Sequence, residues 1–201
     1  RSEDRLDRGL LQRRHNRRDP GRGSNTMIER YSKIALLAAL ALFMGLIAFN
    51  NVTDYGSNFD FVQHVLSMDT TFPGNRLKWR AITSPAAHHA FYCAIITWEA
   101  LSGLGIAAGA VALWRVRRAS SSAFNGAKSL AVGALTVNLL LWFTAFLTVG
   151  AEWFVMWQSQ VWNGQVPAAR MFTCVGLVLL FLKTPDADLP DCPGQGTPGA
   201  A

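Results

Sequence analysis

Charge is scarce in this chain: 16% of its 201 residues are Asp, Glu, Lys or Arg, against 50% hydrophobic residues. A soluble globular domain carries about 25% charged residues. Cysteine is scarce as well. The three present are Cys93, Cys174 and Cys192, an odd count with no pair in one loop, which argues against a disulfide framework. Cys93 and Cys174 fall inside apolar runs and are expected to act as small packing residues. No Gly-rich phosphate loop, Gly-x-Ser-x-Gly elbow, His-Glu-x-x-His or His-x3-His pair is present, so the commonest phosphate-binding, serine-hydrolase and zinc-hydrolase signatures are missing.

What charge there is gathers at the start. Residues 1–26 hold eight arginines against Glu3, Asp4, Asp7 and Asp19, so without them the net charge falls from +6 to +2. This segment lacks hydrophobic periodicity, carries Pro20, Gly21, Gly23 and Ser24, and is expected to be a disordered basic tail, an extension upstream of Met27. A nucleic-acid-binding arm would need aromatics and a folded partner domain, so nucleic acid is not an expected partner.

Four long apolar runs follow. The first covers about Tyr31 to Asn51, the second Ala86 to Trp114, the third Lys128 to Trp157 and the fourth Pro167 to Leu182. Each approaches or exceeds the ~20 residues that cross ~30 Å of hydrocarbon. The first resembles a signal peptide at its start, but no small-x-small cleavage site follows it, so a retained helix is expected. Proline in Lys183-Thr184-Pro185 ends the fourth, and residues 184–201 are expected to form a disordered tail. The fold class is therefore all-α: a four-helix transmembrane bundle over residues 27–183, with a structured outward loop between helices 1 and 2.

Basic residues orient it. Arg30, Lys33, Arg115, Arg117, Arg118, Lys128 and Lys183 flank one side; Arg76, Lys78, Arg80 and Arg170 flank the other. The first set is expected in the cytoplasm, and both termini with it. Trp79, Trp153, Trp157 and Trp162 are then expected in the outer interfacial belt and Trp114 in the inner one. Gly103, Gly105 and Gly109 permit close helix approach.

The outward loop, Val52 to Pro85, is the least lipid-like part of the body. Phe59, Val62, Val65, Leu66 and Met68 recur at helical spacing and predict a short amphipathic helix, and Pro73-Gly74 turns the chain after it. Four strings here and beyond are long and aromatic: Phe61-Val62-Gln63-His64-Val65-Leu66-Ser67-Met68-Asp69-Thr70, Trp79-Arg80-Ala81-Ile82, His88-His89-Ala90-Phe91-Tyr92, and Glu152-Trp153-Phe154-Val155-Met156-Trp157-Gln158-Ser159 running on to Trp162-Asn163-Gly164-Gln165. Over about Met27 to Lys183 they make the chain resemble a bacterial family of predicted small integral membrane proteins, a domain of unknown function. The resemblance implies four spans in a bacterial inner (plasma) membrane and implies no activity.

Six polar residues make a candidate site: His64, Asp69, His88, His89, Glu99 and Glu152. An ionisable group inside a span costs roughly 2.5–3.5 kcal/mol or more at the bilayer centre. Glu99, about 20 Å into the second span by helical rise, is expected near mid-membrane. It shares a face with His88 and Tyr92, and in the third span Asn138, Ala145 and Glu152 follow at sevens. Glu152 is thereby expected to meet His88 or His89, with His64 or Asp69 above. Such a set suits zinc, iron or haem, or a proton path. The blander alternative is that Glu99 staples two helices by hydrogen bonds while the histidines sit among headgroups. Adjacent histidines point about 100° apart and do not ligate one ion together without distortion. No cofactor is expected, and metal binding stays open. Arg80 and Arg170 are expected as anchors.

Two functions follow. One is a non-enzymatic accessory or interaction protein, whose partners are the lipid bilayer and a larger membrane protein complex that docks on the outer loop. The other is a redox or proton-handling component using His64, His88, Glu99 and Glu152. Transport is weaker, since no inverted repeat or broken span is evident.

Overall fold

The computed structural model describes residues 20–189, and within them every regular element is helical. Helix α1 runs Pro20–Thr53, α2 Tyr55–Ser67, α3 Pro85–Arg115, α4 Ser121–Leu140 and α5 Gln165–Lys183. A wider-wound π segment, Leu141–Trp153, continues α4 without a break. Four of these helices are long and apolar enough to cross a membrane, and α2 is the amphipathic helix of the loop. The chain is an integral membrane protein built as a helical bundle.

Local signals set the ends. Ser84 accepts from the Ala87 amide and Pro85 occupies the first turn of α3; Ser120 accepts from the Ala123 amide at the start of α4. Proline follows Thr184, where α5 stops. Helix α1 begins at Pro20, so it enters the stretch expected to be a disordered tail; residues 1–19 and 190–201, with Cys192, lie outside the described residues.

The spanning helices pack around Leu37, Met44, Ile106, Leu113, Leu135 and Leu141, all buried. Small residues decide how closely α3 meets α4: a Cβ added to Gly109 would stand 2.6 Å from the Ala131 Cβ, too near for any side chain. A second cluster of Val62, Leu66, Met68, Ala151, Phe154 and Met156 fastens α2 and the 154–164 connection to the ends of α3 and the π segment. This end of the bundle is called the cap. The Ile82 amide donates to the Leu66 carbonyl (2.8 Å), closing the loop on α2. Val155 turns the chain with φ 47°, a left-handed conformation that is costly for a β-branched residue, and it is held there by burial in this cluster.

At the opposite end, the base, the residues after α5 do not trail away. Asp186 is buried, and its Oδ2 accepts from Lys33 (2.6 Å) and from Lys128. Both lysines also donate to the Thr184 carbonyl, at 2.9 and 2.7 Å. Arg30, fully buried, donates to the carbonyls of Arg117 (3.0 Å), Ala119 (2.7 Å) and Ala187 (2.9 Å) and stacks on Phe124. Residues 184–189 therefore close the bundle, in contrast to the disordered tail expected from Thr184 onward. Asp188 accepts from the Ser121 amide, which holds its carboxyl below the usual range.

Two levels along the helix axes now have a measure. Lys33 at the base and Asn51 near the end of α1 are eighteen residues apart, about 27 Å at the helical rise. Helix α5, nineteen residues long, spans about 28 Å. Both match a hydrocarbon core of ~30 Å.

Candidate functional site

Pro85 lies fourteen helical steps before Glu99, which carries α3 about 21 Å past the Glu99 level toward the cap. That level is fixed by α1. Asn51, two residues from the end of its helix, donates Nδ2 to Glu99 Oε2 at 2.7 Å. Glu99 thus lies beside the end of α1, where the apolar run gives way to Asn50, Asn51 and Thr53. Helix α3 runs on past this level toward the cap, because α1 ends beside its middle.

Around Glu99 the polar groups are joined in sequence. Asn58 of α2 donates to Asn51 Oδ1 (2.7 Å), and the Tyr92 hydroxyl donates to the Asn51 carbonyl (3.4 Å). Ser102 donates to the Glu99 carbonyl (3.0 Å) and accepts from Asn138 (2.8 Å), whose Oδ1 accepts from the Trp142 indole (3.1 Å). Glu99, Ser102, Asn138 and Asn51 are all buried, and the network ties α1, α2, α3 and α4 together. Buried polar groups need such partners, so the set also fixes the relative heights of the helices. A cavity of about 230 Å³ lies against it, walled by Glu99, Asn51 and Asn58 and by the rings of Phe61, Trp142 and Phe146.

The other candidates do not join Glu99. His64 donates to Asp69 (2.8 Å) and stacks on Trp162, with ring centroids 4.7 Å apart. His88 is buried and donates to the Ile82 carbonyl (2.7 Å), bracing the entry to α3. His89 is exposed, stacks on Phe59 at 4.2 Å and shares a hydrogen bond with the Tyr55 hydroxyl (2.9 Å). Desolvation pushes the Tyr55 phenol up from its ordinary range, and the neighbouring Cys93 thiol adds to it. Glu152 is exposed and meets none of the histidines. The reason is the π segment: its i→i+5 bonding takes more residues per turn, so the seven-residue spacing from Asn138 no longer returns to one face. Thr148 donating to the Phe143 carbonyl five residues back shows the same winding. Among the described residues, no three His, Cys, Asp or Glu side chains are grouped to hold a metal ion.

Asn51 and Asn58 are the partners that sequence reasoning missed. Two amides seven residues apart, astride the Asp54 junction, were a signal, but their pairing depends on α2 folding back across the bundle end.

One more feature marks the cap. Arg80 lies between two indoles, its guanidinium carbon 4.6 Å from the Trp153 ring and 5.3 Å from Trp79, and it donates to the Trp153 carbonyl (3.2 Å). Trp79 is 72% exposed. Phe72 meets Trp157 edge to face alongside.

A family model described as a predicted small integral membrane protein, a domain of unknown function, matches residues 29–185. No curated protein and no solved structure matches the chain.

Proposed function

The chain belongs to the predicted small integral membrane protein family, and we propose that it serves as a non-enzymatic accessory protein of a bacterial inner membrane, with the cap as its contact surface. The observation that carries this reading is the position of the Trp79–Arg80–Trp153 ridge. If hydrocarbon ends at the Asn51–Glu99 level, α3 continues about 21 Å further. The headgroup layer on one side is only about 5–8 Å thick. The ridge then stands in water beyond the lipid, where an interfacial anchor has no use. Exposed tryptophans flanking an arginine are the residue types that carry binding energy in protein interfaces. The partner that fits them presents an apolar recess with a carboxylate for Arg80. By the positive-inside rule the base, with Arg115, Arg117, Arg118 and Lys183, faces the cytoplasm and the cap faces outside.

Native mass spectrometry after mild extraction from the source membrane tests this. A complex with a larger membrane protein is expected, lost in the Trp79→Ala/Trp153→Ala variant and retained in Trp114→Ala at the base. A chain that emerges alone, or a complex indifferent to the ridge, contradicts it.

The redox or proton-handling reading has less support. Its histidines are engaged separately, and the side chain bonded to the Glu99 carboxylate is the Asn51 amide, not a histidine.

A further inference from the structure

Glu99 is 2% exposed, yet only half of its carboxylate is occupied. Oε2 accepts from Asn51, whereas Oε1 has no hydrogen-bond partner among the described residues. That oxygen opens onto the cavity that the side chain borders, so a donor held in that space would meet it. The walls say what kind of donor. No lysine or arginine lines the cavity, and Glu99 is its one charged residue. Asn58 spends its amide N–H on Asn51 and keeps Oδ1 as a second acceptor. Phe61, Trp142 and Phe146 supply ring surfaces of the sort that attract cations. At about 230 Å³ the space falls below the ~300–1,000 Å³ of drug-sized sites.

We propose that this cavity binds a primary ammonium group, which donates to Glu99 Oε1 and Asn58 Oδ1 while its neighbouring methylenes lie against Phe61 and Phe146. The mouth is marked by Asn58 and Pro167, both exposed, near the end of α1. At that level an ammonium arrives either as a free small amine or as the ethanolamine headgroup of a lipid. The chemistry is shared by the two sources.

The test uses the full chain in nanodiscs of phosphatidylglycerol, which carries no amine, titrated with n-butylammonium chloride at constant ionic strength and in parallel with uncharged 1-pentanol. Saturable binding of butylammonium is expected, with 1-pentanol at least tenfold weaker. Glu99→Gln keeps the hydrogen bond from Asn51 and is expected to weaken butylammonium at least tenfold, while Glu152→Gln leaves it unchanged. Repeating the titration in phosphatidylethanolamine nanodiscs separates the sources: suppressed binding assigns the site to the headgroup, and unchanged binding assigns it to a free amine. Absence of saturable binding, equal binding of 1-pentanol, or undiminished binding by Glu99→Gln overturns the proposal. Should Glu99→Gln fail to fold, the charged and uncharged probes on the unaltered chain still decide it.

Discussion

Asp186 shows how one side chain can close a membrane bundle. Two lysines from helices far apart in sequence share its carboxylate, and the backbone beside it accepts from both. Removing one member of such a buried group strands the others, at a cost of about 3–5 kcal/mol. Asp186→Ala is therefore expected to lower stability by that order in denaturant titration of the purified protein. Lys33→Met added to it is expected to cost less than the two single changes summed, because the stranded charge goes with it. Strict additivity would show that the two residues do not act together. None of this was visible in the sequence, where Lys33 counted as a flanking charge and Asp186 as part of a tail. The pair is separated by 153 residues, and only the closed bundle brings them together.

At the scale of elements, apolar run length and periodicity revealed most of what matters. Four spans, the amphipathic α2 and the polar face of His88, Tyr92 and Glu99 were legible because each rests on local pattern. Extrapolation from Asn138 to Glu152 was not, since it assumed one winding for a helix that changes to π at Leu141. Cysteine placed at Glu152 is accordingly expected to react with a membrane-impermeant maleimide, whereas cysteine at Asn138 stays unlabelled; protection at position 152 would return it to the bundle interior. The α3–α4 contact gives a second check. Gly109→Ala sets a Cβ against Ala131 and is expected to destabilise by about 1–3 kcal/mol. Gly133→Ala meets nothing within 4 Å and is expected to be neutral or mildly stabilising in the same unfolding assay.

Taken whole, the helices of the bundle are staggered, with α1 ending beside Glu99 near the middle of α3. Helices α1 and α5 match the hydrocarbon between the base and the Asn51–Glu99 level, while α3 and the α4–π helix run on into a cap fastened by α2. If hydrocarbon ends at the Asn51–Glu99 level, as proposed, the Trp79–Arg80–Trp153 ridge stands beyond the lipid. The proposed accessory function depends on that height. Nitroxide labels at Trp79 and at Phe49, in protein reconstituted into bilayers, measure it by relaxation with dissolved oxygen against a water-soluble nickel chelate. The Phe49 label is expected to be relaxed mainly by oxygen and the Trp79 label mainly by the chelate; a Trp79 label that favours oxygen would place the ridge in the bilayer and contradict the accessory reading.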